Sequence, residues 1–298
     1  MRRHDRDVIL PEVFLGRDAV RDGLFSEKQL RGPSVQRVLR GVYTVRGRPL
    51  THVLRSRAAA LLLPPGGVVT GRSQATLLGV ELRRWEDEVE VLVPAPAGAR
   101  WTAVQGIALR RARTVDPGAP RDGVPVATAE RMAFDATTRM PLAEAVANLD
   151  ALVRGGAVAL PALRRWLDEV HGPHVVAARK AAELCDPRAE SRQESVVRVV
   201  LHGAGLPVVP GVVVRDRSGG FVARLDLALE EFRVAVEYDG EWHALRQQLT
   251  KDRRRLAALR DAGWEVVHVT APMLSDPQAF VDTVRRAVAR QKLAYWAA

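Results

Sequence analysis

Apolar residues alternate with other types in two short runs late in the chain, Leu225, Leu227 and Leu229, then Val234 and Val236. Alternation with period two marks half-buried strands. Two acids, Phe232 and Arg233 separate the runs, so the pattern predicts a β-hairpin with its turn at Glu230–Arg233. In that register Leu229 faces Val234, and counting three residues outward on each side sets Asp226 opposite Glu237. Cross-strand partners have Cβ atoms about 5 Å apart. Two carboxylates so close repel each other, and a divalent cation between them relieves the repulsion; hard oxygen ligands suit Mg²⁺. Asp239 follows, Gly240 breaks the strand, and His243 is placed to fold back towards the acids. Upstream, Val196, Val197, Val200 and Leu201 predict a helix over Ser191–His202, with Glu194 off that stripe near its start. The plain alternatives are a pair of acids facing water and a helix-start Glu favoured by the dipole.

The rest of the chain reads as follows. Arg17–Arg21 predicts a short helix, and Ser26 opens a second with a capping-box pattern. A third helix is expected over Val35–Arg40, then a strand in the run Gly41–Gly47. Helix, turn, basic helix and strand wing is the layout of a winged helix-turn-helix, whose second helix of the pair enters the major groove. On that reading Gln36, Arg37 and Arg40 face DNA, with Arg46 and Arg48 on phosphates near the wing. The alternative is a helical domain with a solvated basic face. Leu50–Leu63 predicts a helix stopped by Pro64-Pro65-Gly66-Gly67. A strand leading into a helix (Val68–Val80), strands at Val89–Val93 and Ile107–Arg111, and helices at Pro141–Arg154, Leu160–His171 and Val175–Leu184 come next. This middle stretch carries no catalytic constellation, and its isolated His52, His171 and His174 read as structural or surface residues. The last third adds a strand at Val208–Val214, a charged helix at Ala244–Asp261 bearing Arg253 and Arg254, a strand at Trp264–Thr270 and a helix at Asp276–Lys292. The expected fold class is α/β in order, α+β overall, with a mixed C-terminal sheet flanked by helices. Three segments are expected: a winged helix-turn-helix over 1–63, a mixed connecting domain over 64–184, and the acid-bearing domain over 185–298, joined through Cys185–Arg188.

Composition narrows the function classes. A chain of 298 residues suits two or three domains, and 47% hydrophobic with 27% charged residues suits a soluble globular protein. Lys and Arg exceed Asp and Glu by 45 to 35, a formal charge of +10 that points to a polyanionic partner. Part of that excess is compositional, since Arg rises together with Ala, Gly, Val and Pro. The single Cys185 excludes an intramolecular disulfide and a Cys-based zinc site. No apolar run reaches a membrane span, and the N-terminus has no signal-peptide pattern, so a cytoplasmic protein without a membrane partner is expected. Only 5% aromatic residues disfavour a stacking platform for single strands.

Four separated pieces, QESVVRVVLHGAGLP, ARLDLAL, VAVEYDGEWH and DRRRLAALRDAGWEVVHVT, agree in order and spacing with one family. Over about Glu190–Arg290 the chain resembles the PD-(D/E)XK nuclease superfamily, in the branch of Vsr-like (very-short-patch-repair) endonucleases. The resemblance implies a restriction-endonuclease-like sheet and Mg²⁺- or Mn²⁺-dependent cleavage of double-stranded DNA. It implies Asp226, Glu237 and Asp239 as metal ligands, Glu194 as the helix-borne acid that orients the metal or its water, and His243 as general base or as acid to the leaving oxygen. Asp239 alternatively holds the tautomer of His243, and Asp252 matches a supporting position. Arg253 and Arg254 steady phosphates. The superfamily's usual Lys after Glu237-Tyr238 is Asp239 here; Vsr-like enzymes also lack that Lys and use His. The run RVLRGVYTVRG resembles the N-terminal domain of AbiEi-type antitoxins, which are DNA-binding repressors, and DGVPVATAERMAFDAT resembles a second run in them. Two readings therefore compete, a DNA endonuclease and a transcriptional regulator or antitoxin-like protein with an inactive nuclease fold. An RNA nuclease is a third, disfavoured by the few aromatics. The DNA target, a partner toxin or methylase and a homodimer stay open.

Overall fold

A computed structural model describes residues 10–95, 105–239 and 246–296. Eleven helices and three sheets among them make the protein α+β. The chain divides into two units, one of residues 1–136 with 155–170, the other of 137–154 with 171–298.

The first unit begins with β1 (Phe14–Leu15), α1 (Gly16–Arg21) and α2 (Glu27–Leu30). Ser26 caps α2 as its sequence predicts: Ser26 Oγ accepts the Gln29 N–H at 3.2 Å, and Gln29 Oε1 accepts the Ser26 N–H at 2.7 Å. The expected helix over Val35–Arg40 is instead strand β2 (Val35–Leu39), paired antiparallel with β3 (Val42–Val45). The cause lies in a register shift between Arg37 and Leu39. A bulge there turns both Val38 and Leu39 inward beside Val35, so the buried positions fall at i, i+3 and i+4 as they would on a helix. Gln36 and Arg37 thus lie on a strand and Arg40 in its turn, where Gly41 takes φ +81°. The three strands run in the order β1-β3-β2. The basic helix that the winged helix-turn-helix layout needs at Val35–Arg40 is therefore absent, and only the strand expected as its wing remains, paired as β2–β3.

The unit continues with α3 (His52–Ala60), β4 (Val68–Val69), α4 (Gly71–Leu77), β5 (Val89–Pro94), β6 (Ile107–Ala112) and α5 (Ala129–Thr137). β5 pairs antiparallel with β4 and parallel with β6. Val38, Leu39 and Val42 share one apolar cluster with Leu54, Ala58, Val89, Val91 and Ile107. The sequence 1–63 is therefore cored together with the strands that follow it. His52 is buried, its Nε2 2.8 Å from Ser73 Oγ and its Nδ1 2.9 Å from the Arg84 carbonyl. Burial pushes its pKa down, as suits a neutral structural imidazole.

The second unit contributes α6 (Leu142–Arg154); α7 (Leu160–Glu169) returns to the first. Then come α8 (Val175–Leu184), α9 (Arg192–Gly203), β7 (Val209–Arg215), β8 (Phe221–Leu229), β9 (Val234–Asp239), α10 (Arg246–Asp261), β10 (Glu265–Thr270) and α11 (Pro277–Trp296). The sheet order is β10-β9-β8-β7, with β7, β8 and β9 antiparallel and β10 parallel to β9 across α10. Val197 and Leu201 of α9 and Phe280 and Val284 of α11 pack with Leu227, Val236 and Val267. Leu259 of α10 packs with Leu225, Ala228 and Ala235 in a separate cluster. A buried ion pair ties α6 to α9: Arg198 Nη2 lies 2.8 Å from Asp150 Oδ2. Asp150 Oδ1 also accepts the Asp186 N–H at 2.7 Å, and Arg198 donates to the Leu184 carbonyl at 2.6 Å. These bonds bind the stretch expected as a linker into the second unit.

Candidate active site

The hairpin that carries the acids forms in the register its sequence predicts. Leu229 pairs with Val234, Ala228 with Ala235 and Leu227 with Val236. The ladder ends at that last pair, and Asp226 and Glu237 are the next residues on the two strands. The turn is a short 3₁₀ segment, Glu230–Phe232, closed by Arg233 at φ +50°. Ala235 faces α10, and Glu237, two residues on, faces it too, where Arg255 meets it; Asp226 lies in the field of both Glu237 and Arg255. Glu237 is 7% exposed, and Asp226 is half-buried. Asp226 Oδ2 accepts the Tyr238 N–H at 3.1 Å.

Burial pushes the Asp226 carboxyl up to about 6; the charge of Glu237 is the next cause, and Glu194 adds to it. The Tyr238 N–H and Arg255 pull the other way. Three of the expected acids are thus coupled in one electrostatic neighbourhood. Glu194 sits at the start of α9, held by the cap: its N–H donates to Ser191 Oγ at 3.1 Å, and its Oε2 accepts the Glu190 N–H at 2.8 Å.

Asp239 ends β9 on the same face as Glu237, and its Oδ2 lies 2.8 Å from Nδ1 of His268. The parallel register pairs His268 of β10 with Glu237. His268 is a site residue that local sequence reading misses, because α10 separates it from the hairpin. His243, the histidine expected here, lies outside the described residues, as does the side chain of Asp252.

Arg255 is the second residue missed. Its Nη2 donates to Glu237 Oε1 at 2.8 Å and to the Arg224 carbonyl at 3.1 Å. One turn before the buried Leu259, it lies on the helix face turned to the sheet; that spacing was readable. Arg253 and Arg254, the two arginines expected on phosphates, are exposed on α10. In the first unit Arg37 and Arg40 are exposed. Gln36 instead donates to the Arg48 carbonyl at 2.9 Å, Arg46 to the Pro33 carbonyl at 2.5 Å, and Arg48 to Glu12 at 3.2 Å. Among the described residues no group of three or more His, Cys, Asp or Glu is arranged to hold a metal ion.

No family model matches the chain. Two proteins of Mycobacterium tuberculosis, uncharacterized protein MT2308 of strain CDC 1551 / Oshkosh and uncharacterized protein Rv2248 of strain ATCC 25618 / H37Rv, are each 35% identical to it over 144 residues. That stretch is 48% of this chain and 49% of each relative, so the chain spans about half the length of the curated relatives it matches. The crystal structure of the RV2827C protein from Mycobacterium tuberculosis is 17% identical at a TM-score of 0.39, covering 69% of this chain and 84% of that one. A likeness that low carries no argument. Among the described residues no helix is long and apolar enough to cross a membrane.

Proposed function

We propose that the second unit is a metal-dependent phosphodiesterase acting on double-stranded DNA, an endonuclease domain in a chain whose first unit supplies a DNA-binding element. The observation that carries it is the cluster at the end of the acid hairpin: buried Glu237 with Arg255 on its Oε1, half-buried Asp226 whose carboxyl burial and the charge of Glu237 push up, and Asp239 on His268. The order α9, three antiparallel strands, α10 and a parallel strand agrees with the Vsr-like resemblance of the sequence. Such an enzyme works where DNA is, in the cytoplasm.

Mg²⁺ or Mn²⁺ fits the donor set, because Mg²⁺ needs only one or two carboxylates and fills its other positions with water and phosphate oxygens. Asp226 and Glu237 would hold it, with Asp239 next along the strand. When bound there, the ion polarises a phosphodiester oxygen and acidifies a bound water. The remaining work falls to the chain. Asp239 accepts the Nδ1–H of His268, fixing the tautomer that leaves Nε2 to take a proton. His243 is the residue to which the resemblance gives this role, so both histidines need testing. Glu194 orients the acids' side of the site, and Arg253 and Arg254 steady the DNA backbone.

The test is cleavage of supercoiled plasmid with Mg²⁺ or Mn²⁺, wild type beside Asp226→Ala. Nicking or linearisation by the wild type alone is expected. Equal cleavage by both would remove the site from Asp226. A second reading, a metal-free regulator, rests on the excess of basic residues and on the two runs that resemble AbiEi-type antitoxins. Its mark would be specific binding to the protein's own promoter fragment in EDTA, without cleavage.

A further inference from the structure

Arg255 touches the buried carboxylate that the proposed reaction needs for its metal. Its guanidinium Nη2 lies 2.8 Å from Glu237 Oε1, and the same nitrogen reaches the Arg224 carbonyl at 3.1 Å. Glu237 is 7% exposed. A buried carboxylate loses its water and needs a cation or donors in exchange. Arg255 meets that need on the oxygen facing it. A divalent cation placed between Asp226 and Glu237 makes the same demand of the same carboxylate. The two cations therefore compete for it.

Arg255 is also equipped to meet a second anion. Its five donors are set in a planar fork that matches a phosphate. The anion that arrives at this face in the proposed reaction is a phosphodiester, and Arg255 stands on Glu237, one of the two acids beside which it would be cut. We propose that Arg255 is a positioning residue that couples metal to DNA. It neutralises Glu237 while the site is empty, and it passes to the phosphodiester when the nucleic acid binds, opening Glu237 to the ion. This inference rests on the endonuclease reading above. Coupling of this kind is reciprocal: DNA should tighten the metal as much as the metal tightens DNA. It would also keep the site from loading metal firmly without a substrate.

The experiment is Mn²⁺ titration by calorimetry on the full chain, alone and with a short duplex whose phosphates are replaced by cleavage-resistant phosphorothioates. Wild type should bind Mn²⁺ weakly alone and at least fivefold tighter with the duplex. Arg255→Ala should bind Mn²⁺ about tenfold tighter than wild type without DNA, and gain little from the duplex. Arg255→Lys keeps the charge on Glu237 and should return the DNA-free affinity towards wild type, which separates the effect from a folding defect. Arg260→Ala removes an exposed charge from the same helix and should leave Mn²⁺ affinity within twofold. If Mn²⁺ binding requires Asp226 but Arg255→Ala binds no tighter than Arg260→Ala, or shows the same gain from the duplex as wild type, the role of Arg255 is overturned and the metal site stands. If Asp226→Ala binds Mn²⁺ as tightly as wild type, the metal site itself is overturned, and Arg255 with it.

Discussion

At the residue scale the decisive facts concern buried charge. Asp226 has a carboxyl raised to about 6, with burial as the main cause and Glu237 the next. An acid whose folded pKa lies above its ordinary value of 3.8 binds protons more readily in the native state. Stability is then greatest below about pH 4, falls as pH rises through the window from 3.8 to about 6, and stays lowered above it. Some solvent contact discounts the full shift, which leaves a penalty of about 2 kcal/mol at neutral pH. Asp226→Asn keeps an acceptor for the Tyr238 N–H and removes the charge. In EDTA it should be more stable than wild type by about 2 kcal/mol at pH 8 and equal to it near pH 4, read by urea denaturation. An equal gain at both pH values would mean that charge is not the cause. Glu90 in the first unit shows the opposite balance. Burial raises its pKa, but Arg72, Arg83 and Arg110, at 2.8, 3.1 and 3.4 Å, more than offset that and hold the carboxyl below its ordinary range. Glu90→Ala strips those arginines of this shared partner and should cost roughly 3 kcal/mol at pH 7, measured as a shift in urea midpoint.

At the element scale the acid hairpin was legible and the wing was not. In the hairpin the residues next to the turn alternate, so counting from Leu229 and Val234 reads the register of the three nearest pairs. In β2 the bulge broke the alternation and gave Val35, Val38 and Leu39 a helical spacing; the two β-branched valines were the counter-evidence. His268 was illegible for a different reason. Parallel pairing across α10 sets it beside Glu237, and no local pattern carries the register of a crossover. The correction changes what the wing should do. Arg37 and Arg40 are exposed, whereas the Gln36 amide is engaged on the Arg48 carbonyl. If the wing lies on DNA phosphates, Arg37→Ala with Arg40→Ala should reduce the slope of log affinity against log salt by about 2. Gln36→Ala should leave that slope unchanged. A double variant with the wild-type slope would take the wing off the DNA.

At the scale of the whole molecule, a division of labour along the sequence is not the division of the structure. The chain passes between its units at 136/137, 154/155 and 170/171, so the acid-bearing fold is not confined to a continuous C-terminal piece. Composition, with its +10 charge, suggests a polyanion for the molecule but says nothing of this threading. The consequence can be measured. A fragment 185–298 holds the whole four-stranded sheet yet omits α6, and with it Asp150. The fragment loses the Arg198–Asp150 pair, 3% and 1% exposed in the intact unit, and with it the packing of α6 on α9, a loss of at least about 3 kcal/mol. Typical domains hold only about 5–15 kcal/mol in total. The fragment should therefore unfold at a markedly lower urea concentration than the corresponding transition of the full chain, or fail to fold. In the fragment the ground that α6 covers is open to water, so Arg198→Met there should change the midpoint little. In the full chain the same substitution breaks the pair from the other side, leaves Asp150 uncompensated, and should destabilise. A cost in the full chain that is absent from the fragment is the outcome the buried pair demands. An equal Arg198→Met effect in both would show that α6 stabilises the sheet by packing alone.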